Sequence, residues 1–372
     1  MATTRRSSSN SIFQYFVALI LFFSILQLYD PFSAIDEIPQ STVQEHLGDF
    51  RRVISKESPS RQRALQDKEE LVRILSEAGV DVGELPLDTL ERLPTQSTLT
   101  RLYGNFSEPP IWGLEHCTAY REKVQRADRF VGVAGLFNTG TNLLAHHLEN
   151  NLDMSMRWQV PWGKHRLASV KYNHTARGAH KDRKDWILPI VMIRDPFSWM
   201  QSMCAHQYAT RWRHSEQHCP NLIPSESDRA QYKHLQDTFQ VSVKFDGEHI
   251  TSFTSLAHLW TEWYREYVDS TEPFVLIRFE DMVLRPRVVL QQLADCVETT
   301  VKEPFRYQVA SSKDHGSHTD LVKAILKTGD AQLRLHNLTS ADLDYAHAHL
   351  DEKLMHYFGY DTDTAAYSTL GV

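Results

Sequence analysis

Cysteine is scarce in this chain, four in 372 residues, and none sits in a C-x-x-C pair, so neither a zinc ribbon nor a thioredoxin-type redox centre is encoded. Positive charge is not in excess either. The formal net charge of −7 gives no global attraction to nucleic acid, so an anionic ligand would have to be held by a local basic site. No internal repeat or low-complexity tract is present. No G-x-x-x-x-G-K-[ST] string exists, which argues against a nucleotide triphosphatase or kinase. A D-x-D metal site after a strand, as a lumenal glycosyltransferase needs, is also missing: the only such strings are Asp342 to Asp344, within a helical pattern, and Asp361 to Asp363, at the tail. What remains, with 41% hydrophobic and 10% aromatic residues, is enough apolar material for a large core, and a globular enzyme is the expected class.

One apolar run is long. Residues 12–29 carry no charge and suffice for a tilted transmembrane helix. Arg5 and Arg6 precede it, no Lys or Arg follows before Arg51, and acidic residues occupy the far side, so the N-terminus is expected in the cytosol and the rest in a lumen, a single-pass type II arrangement. A cleaved signal peptide is the competing reading, although Pro-Phe-Ser-Ala after the run is a poor cleavage site. Sequons at Asn105, Asn173 and Asn337 suit a glycosylating compartment. The expected organisation is a cytosolic tail (1–11), a membrane helix (12–29), a stem with a small helical region (30–126), a catalytic domain (127–361) and a tail (362–372).

Within the stem, residues 68–79 read as an amphipathic helix ending on Gly79, and turn residues interrupt everything after it. From Arg129 onward short apolar runs alternate with helical stretches, the pattern of an α/β domain whose parallel sheet is flanked by helices. Strands are expected over 130–137, 154–162, 186–193 and 273–279. One helix is expected over 255–268 and another carrying Leu343, Ala346, Leu350, Leu354 and Phe358 up to Gly359.

Two segments carry chemistry. GLFNTGTNLL (135–144) follows the first strand and opens a helix. The amides from Thr139 to Asn142 and the helix dipole would therefore converge on one anion, with Gly135 and Gly140 supplying a permissive backbone. A plain strand-to-helix turn is the alternative. IRDPFSWMQSM (193–203) follows a buried strand, with Asp195 capping a helix, Pro196 in its first turn, Arg194 at the sheet's carboxyl edge and Ser202 two turns on. Arg suits a doubly charged phosphate monoester through paired donors.

Together these segments resemble the sulfotransferase superfamily, whose phosphosulfate loop reads K-[TS]-G-T-[TS]; the likeness runs from Arg129 to Tyr360, and the Arg-Asp-Pro form is similar to the Golgi branch. The resemblance implies a P-loop-like fold and 3′-phosphoadenosine 5′-phosphosulfate as donor. It also implies a donor site of Asn138, Thr139, Gly140, Thr141, Asn142, Arg194 and Ser202, the last two on the 3′-phosphate, with no metal. The family's loop lysine, which meets the bridging oxygen of the leaving group, is Asn138 here. RFED (278–281) resembles a late strand and helix of the superfamily and reads as a charged, structural turn. Of the family's C-terminal basic segment, only Lys313 and His315 to His318 are candidates.

Sulfuryl transfer needs a base for the acceptor proton and a cation for the leaving oxygen. PWGKH (161–165) offers both: His165 as base and Lys164 as the cation replacing the loop lysine. Adjacent strand residues point to opposite faces, so both can serve only if Gly163 ends the strand. Glu149 and His206 are the other candidate bases. The basic stretch 164–184 is either a solvated loop or a groove for an anionic acceptor such as a glycan or acidic peptide. The expected function is therefore transfer of a sulfuryl group to a hydroxyl or amine, with a membrane-tethered, non-catalytic nucleotide-binding protein or a lumenal glycosyltransferase as alternatives. Cys204 and Cys219 flank a polar loop of fourteen residues and are expected to cross-link it, against two separate buried thiols.

Overall fold

The computed structural model describes residues 58–104, 108–173, 184–245, 250–312 and 320–360. The expected membrane helix at 12–29, both expected tails and Asn105 lie outside the described residues, among which no helix is long and apolar enough to cross a membrane.

The strands are β1 (Ile111–Trp112), β2 (Phe130–Gly135), β3 (Met156–Arg157), β4 (Ile187–Ile193), β5 (Thr210–Arg211), β6 (Val241–Val243), β7 (Thr251–Phe253) and β8 (Val275–Arg278). Five of them make a sheet of order β1-β8-β4-β2-β3. The pairings β2–β3, β2–β4 and β4–β8 are parallel, and only β1 runs antiparallel, against β8. A separate antiparallel sheet has the order β5-β6-β7.

The central strands are apolar on both faces because both are covered. In β4, Ile187, Val191 and Ile193 enter one core cluster while Leu188, Ile190 and Met192 enter the other, the period of two that a strand imposes. The first face packs on the helices Pro196–Ala205 and Leu256–Val268, through Phe197, Trp199, Trp260 and Trp263. The second packs on Thr141–Asn151, His116–Lys123 and Pro286–Val297, through Leu144, Leu148, Tyr120, Leu290 and Leu293. Each of these fully buried side chains contributes about 1.5–3 kcal/mol. A disulfide between Cys117 and Cys296 joins two helices of the second face, and a second disulfide joins Cys204 to Cys219, as the loop composition led us to expect.

Three expectations need correction. The strand expected over 154–162 is regular only at Met156–Arg157; beyond it the chain leaves the ladder, returns for one bond from Val160 N–H to Val133 O, and turns at Gly163. The helix expected to carry Leu343 through Phe358 is two, Ser340–His349 and Glu352–Tyr357, parted where Asp351 caps the second. The region after Gly79 is also more ordered than its turn residues suggested, with helices at Leu87–Arg92 and Gln96–Tyr103. The helix at 69–77 begins and ends as expected, with Gly79 at φ +78°.

Register fixes the functional edge. Gly135 pairs with Met192, and Ile193 pairs with Arg278, so β2, β4 and β8 end together. The loop after β2, Arg194 after β4 and Phe279 after β8 therefore leave the sheet side by side, at the edge where open α/β sheets bind ligands.

Candidate functional site: one cavity at the carboxyl edge of the sheet

Beyond β2 the chain turns through 136–140 into the helix Thr141–Asn151. The turn needs left-handed backbone at Asn138 (φ +61°) and Gly140 (φ +90°). A Cβ on Gly140 would sit 2.4 Å from Cδ2 of Phe279, so only glycine lets the loop close against the residue after β8. The first intrahelical bond runs from Leu144 N–H to Gly140 O, which leaves the amides of Thr141, Asn142 and Leu143 ahead of it, at the positive end of the dipole. Gly140, Thr141, Asn142 and Leu143 line a cavity of about 520 Å³. Thr139 does not line it: its residue is buried and its hydroxyl donates to Leu136 O at 2.7 Å, shaping the loop from behind. Asn138 does line it, but its amide nitrogen is spent on His206 O at 2.6 Å.

Arg194 and Ser202 line the same cavity. Arg194 Nη1 donates to Ser202 Oγ at 2.7 Å, and the guanidinium lies 4.5 Å from the ring centroid of Phe279. Its buried Nε has no hydrogen-bond partner, a charged donor that protein groups leave unused. Lys327, on the helix Leu321–Gly329, also lines the cavity. Burial lowers its pKa first, and the nearby charges of Arg194 and Lys323 lower it further. An anion between these cations would relieve their repulsion. Nothing local marks Lys327 in the sequence; it is one more lysine on an amphipathic helix.

The scaffold behind them is ionic and buried. Asp195 caps the helix Pro196–Ala205 by accepting Ser198 N–H at 2.8 Å and pairs with Arg334 at 2.6 Å. Glu280 accepts Asp195 N–H at 3.1 Å and the Tyr360 hydroxyl at 3.0 Å; burial, then the charge of Asp195, raise its pKa to about 7. Arg278 is held by Asp281 at 2.7 Å. The charged turn after β8 thus braces the edge and leaves binding to its neighbours.

Lys164 and His165 arrive from the β3 side. Gly163 adopts φ +109° and turns the chain, after which Gly135 N–H donates to Lys164 O at 3.0 Å. Regular strand geometry has ended there, so the two side chains need not diverge. Lys164 Nζ donates to Asn142 Oδ1 at 3.0 Å. His165 lines the cavity, with Nδ1 2.7 Å from Gly135 O. A carbonyl can only accept, so Nδ1 carries the proton and Nε2 keeps the lone pair. Burial pushes the His165 pKa down to about 4, assisted by Lys164 and opposed by the Gly135 bond.

The other candidates sit elsewhere. Glu149 accepts the Trp158 indole at 3.2 Å, and His206 Nδ1 accepts Tyr208 N–H at 3.2 Å; neither lines the cavity. Lys171 of the basic stretch is buried in ion pairs with Glu272 and Asp185. Arg177, Lys181, Arg183, Lys313 and His315 to His318 lie outside the described residues. Asp342, of the D-x-D string, is buried and committed to His218 and to the amides of Leu222 and Ile223. Among the described residues no group of three or more His, Cys, Asp or Glu could hold a metal ion. No family model, curated protein or solved structure matches the chain.

Proposed function

We propose that this chain is a sulfotransferase that moves a sulfuryl group from 3′-phosphoadenosine 5′-phosphosulfate to an acceptor hydroxyl or amine, on a glycan or glycoconjugate. The observation that carries the reading is the convergence on one cavity of a helix N-terminus, the Arg194–Ser202 pair and the base His165, with Lys164 reaching its edge through Asn142. A bisphosphorylated nucleotide needs two separate anion sites, and the helix start and the Arg194–Lys327 pair supply two. The apolar side chains of Phe279, Met282, Val283 and Pro286 on the same cavity wall suit a base and sugar.

In the proposed reaction the acceptor O–H gives its proton to Nε2 of His165 as its oxygen attacks sulfur. The bond from sulfur to the bridging oxygen breaks, and the electron pair leaves on the 5′-phosphate. Helix amides and Lys164 meet that charge. His165 is neutral in the free protein and so starts in the basic form. A non-catalytic nucleotide binder is the second reading, favoured by the Asn138 amide being engaged with His206 where the family has a lysine.

Thermal unfolding of the chain from Ser58 onward, which packs as one compact unit, tests donor binding. Adenosine 3′,5′-bisphosphate should raise the melting temperature far more than ATP with Mg²⁺; equal shifts would reject the reading. Residues 12–29 as a type II Golgi anchor complete the proposal on sequence alone, and resistance to carbonate extraction tests them.

A further inference from the structure

Beside His165 the cavity wall becomes aromatic. The Phe137 ring centroid lies 4.6 Å from that of His165 and 5.9 Å from that of Tyr208, whose plane is tilted by only 16°. On its other flank Phe137 stacks on Phe245, 6.2 Å away and 10° from parallel. Phe137 is buried, but Tyr208 lines the cavity and is 38% exposed, among the few large apolar side chains so placed. It is also held firmly. Its backbone has φ +53°, its N–H donates to His206 Nδ1, its carbonyl accepts from Arg211 at 2.9 Å, and its ring centroid is 4.0 Å from that of His206. The Cys204–Cys219 disulfide closes the loop that carries it. A rigid, exposed aromatic beside a reactive group is a recognition feature, since its ordering cost is already met in the free protein.

The described segments beside it carry basic residues. Arg211 Nη1 donates to Tyr208 O, Lys244 N–H donates to Ala209 O, and Arg166 Nε reaches Phe245 O at 3.4 Å. With the donor between the helix N-terminus and Arg194, an acceptor whose hydroxyl reaches His165 extends along this wall. A pyranose presents a face of C–H groups that complements the negative face of an aromatic ring, and a carboxylate on that sugar would be met by the surrounding cations.

We propose that Tyr208 is the acceptor platform of this site, stacking a pyranose of an anionic, uronic-acid-containing glycan so that one of its hydroxyls faces His165. The proposal rests on the sulfotransferase reading for its orientation, while the binding it asserts is independent of catalysis. The probe is a hyaluronan hexasaccharide, titrated by calorimetry into the Ser58–Val372 chain, with maltohexaose as the neutral control and an acidic tyrosine-containing peptide as the competitor class.

Tyr208→Ala should weaken hexasaccharide binding about tenfold or more, Tyr208→Trp should retain it, and maltohexaose should bind at least about tenfold more weakly than hyaluronan. Tyr208→Gly, which removes the ring yet suits the left-handed backbone, gives the same answer should the alanine variant fold poorly. In turnover assays the acceptor KM should rise with the donor KM unchanged. Tyr208-dependent hyaluronan binding without transfer from the donor would keep the platform and sink the sulfotransferase reading. The platform is overturned if the wild-type chain does not bind the hexasaccharide, if removal of the ring leaves binding intact, or if the peptide binds through Tyr208 in place of the glycan.

Discussion

Nδ1 of His165 lies 2.7 Å from the carbonyl oxygen of Gly135, the last residue of β2. The bond fixes both the tautomer and the ring's direction at the point where the sheet hands over to the loop that opens the helix Thr141–Asn151, much as a carbonyl behind a metal-bound imidazole does. It depends on an irregular backbone, because β3 has ended at Arg157 and Gly163 then turns the chain. His165 lines the cavity, while Lys164 meets the lining residue Asn142 at Oδ1, 3.0 Å away.

Replacing His165 by Ala should lower kcat by about 10²–10⁴ while binding of adenosine 3′,5′-bisphosphate is nearly unchanged. The pH profile is a sharper check. With the pKa held down near 4 by burial, the basic form persists through the neutral range, so kcat/KM should stay flat from pH 8 to about 5.5 and decline only below that. The bound donor's negative charge raises the same pKa, so the acid limb of kcat should lie at higher pH than that of kcat/KM. A kcat/KM limb near pH 6.5, the value of an exposed imidazole, would show that His165 is not the base.

Arg194→Ala should weaken adenosine 3′,5′-bisphosphate by about 2–3 kcal/mol, the loss of charge-assisted bonds. Arg194→Lys should recover little, because the paired donors and the stacking on Phe279 are lost. Lys327→Ala should weaken the same ligand and reduce the salt dependence of its binding. Calorimetry against adenosine 5′-monophosphate separates the roles: both variants should bind that ligand nearly as wild type, since it lacks the 3′-phosphate.

Cys204→Ser with Cys219→Ser should destabilise the domain by about 3 kcal/mol, the chain-entropy effect expected for a loop of this size. The loop also carries the buried Thr210, Trp212 and His218, whose contacts remain when the bond is removed. Denaturant titration under reducing and non-reducing conditions measures the difference, and non-reducing peptide mapping should recover Cys117 with Cys296 and Cys204 with Cys219.

The α/β architecture was legible because three strands carry their own signature: continuous apolar runs follow directly from a sheet covered on both faces, and β2, β4 and β8 lie where the pattern puts them. Boundaries set by long-range contacts were not legible. β3 is cut short although Met154, Met156, Trp158 and Val160 alternate: past Arg157 the chain leaves the ladder and Val160 N–H alone returns to Val133 O before Gly163 turns it. The last helix breaks at Leu350 because Asp351 caps a new start and pairs with Arg265. Within the site, Arg194 lay at the expected strand end and Ser202 was implied by the family resemblance, whereas Lys327 reaches the cavity from a distant segment and Tyr208, just past Ser202, belongs to no motif.

His218 offers the strongest pH-dependent test of the fold. Its Nδ1 is 2.6 Å from an Asp228 carboxylate oxygen and its Nε2 is 2.7 Å from Asp342, all three residues being buried. A neutral imidazole has one N–H and could serve only one ionised carboxylate, so two contacts to ionised carboxylates call for an imidazolium. Each carboxylate is also the third residue of a capping box, in the helices Glu226–Gln231 and Ser340–His349, and Asp342 additionally accepts the amides of Leu222 and Ile223 at 2.7 and 2.9 Å. The clamp therefore ties two helix starts to the residue beside Cys219. Hydrogen bonding to Asp342 first, and to Asp228, raises the His218 pKa against the opposing effect of burial. A raised folded-state pKa contributes stability that is complete below the unfolded value near 6.5 and is lost as pH rises through the folded value. Asp228 and Asp342 lie below the usual carboxylate range, since their hydrogen bonds outweigh burial, so their contribution disappears only in strong acid. The clamp is thus strongest near pH 5–6. His218→Asn should cost about 3–5 kcal/mol there, because two buried carboxylates lose their cation. The gap between wild type and variant should then narrow steadily toward pH 10, as measured by urea titration at each pH. An equal gap at pH 6 and pH 10 would mean that the ring is neutral and that one carboxyl holds the proton.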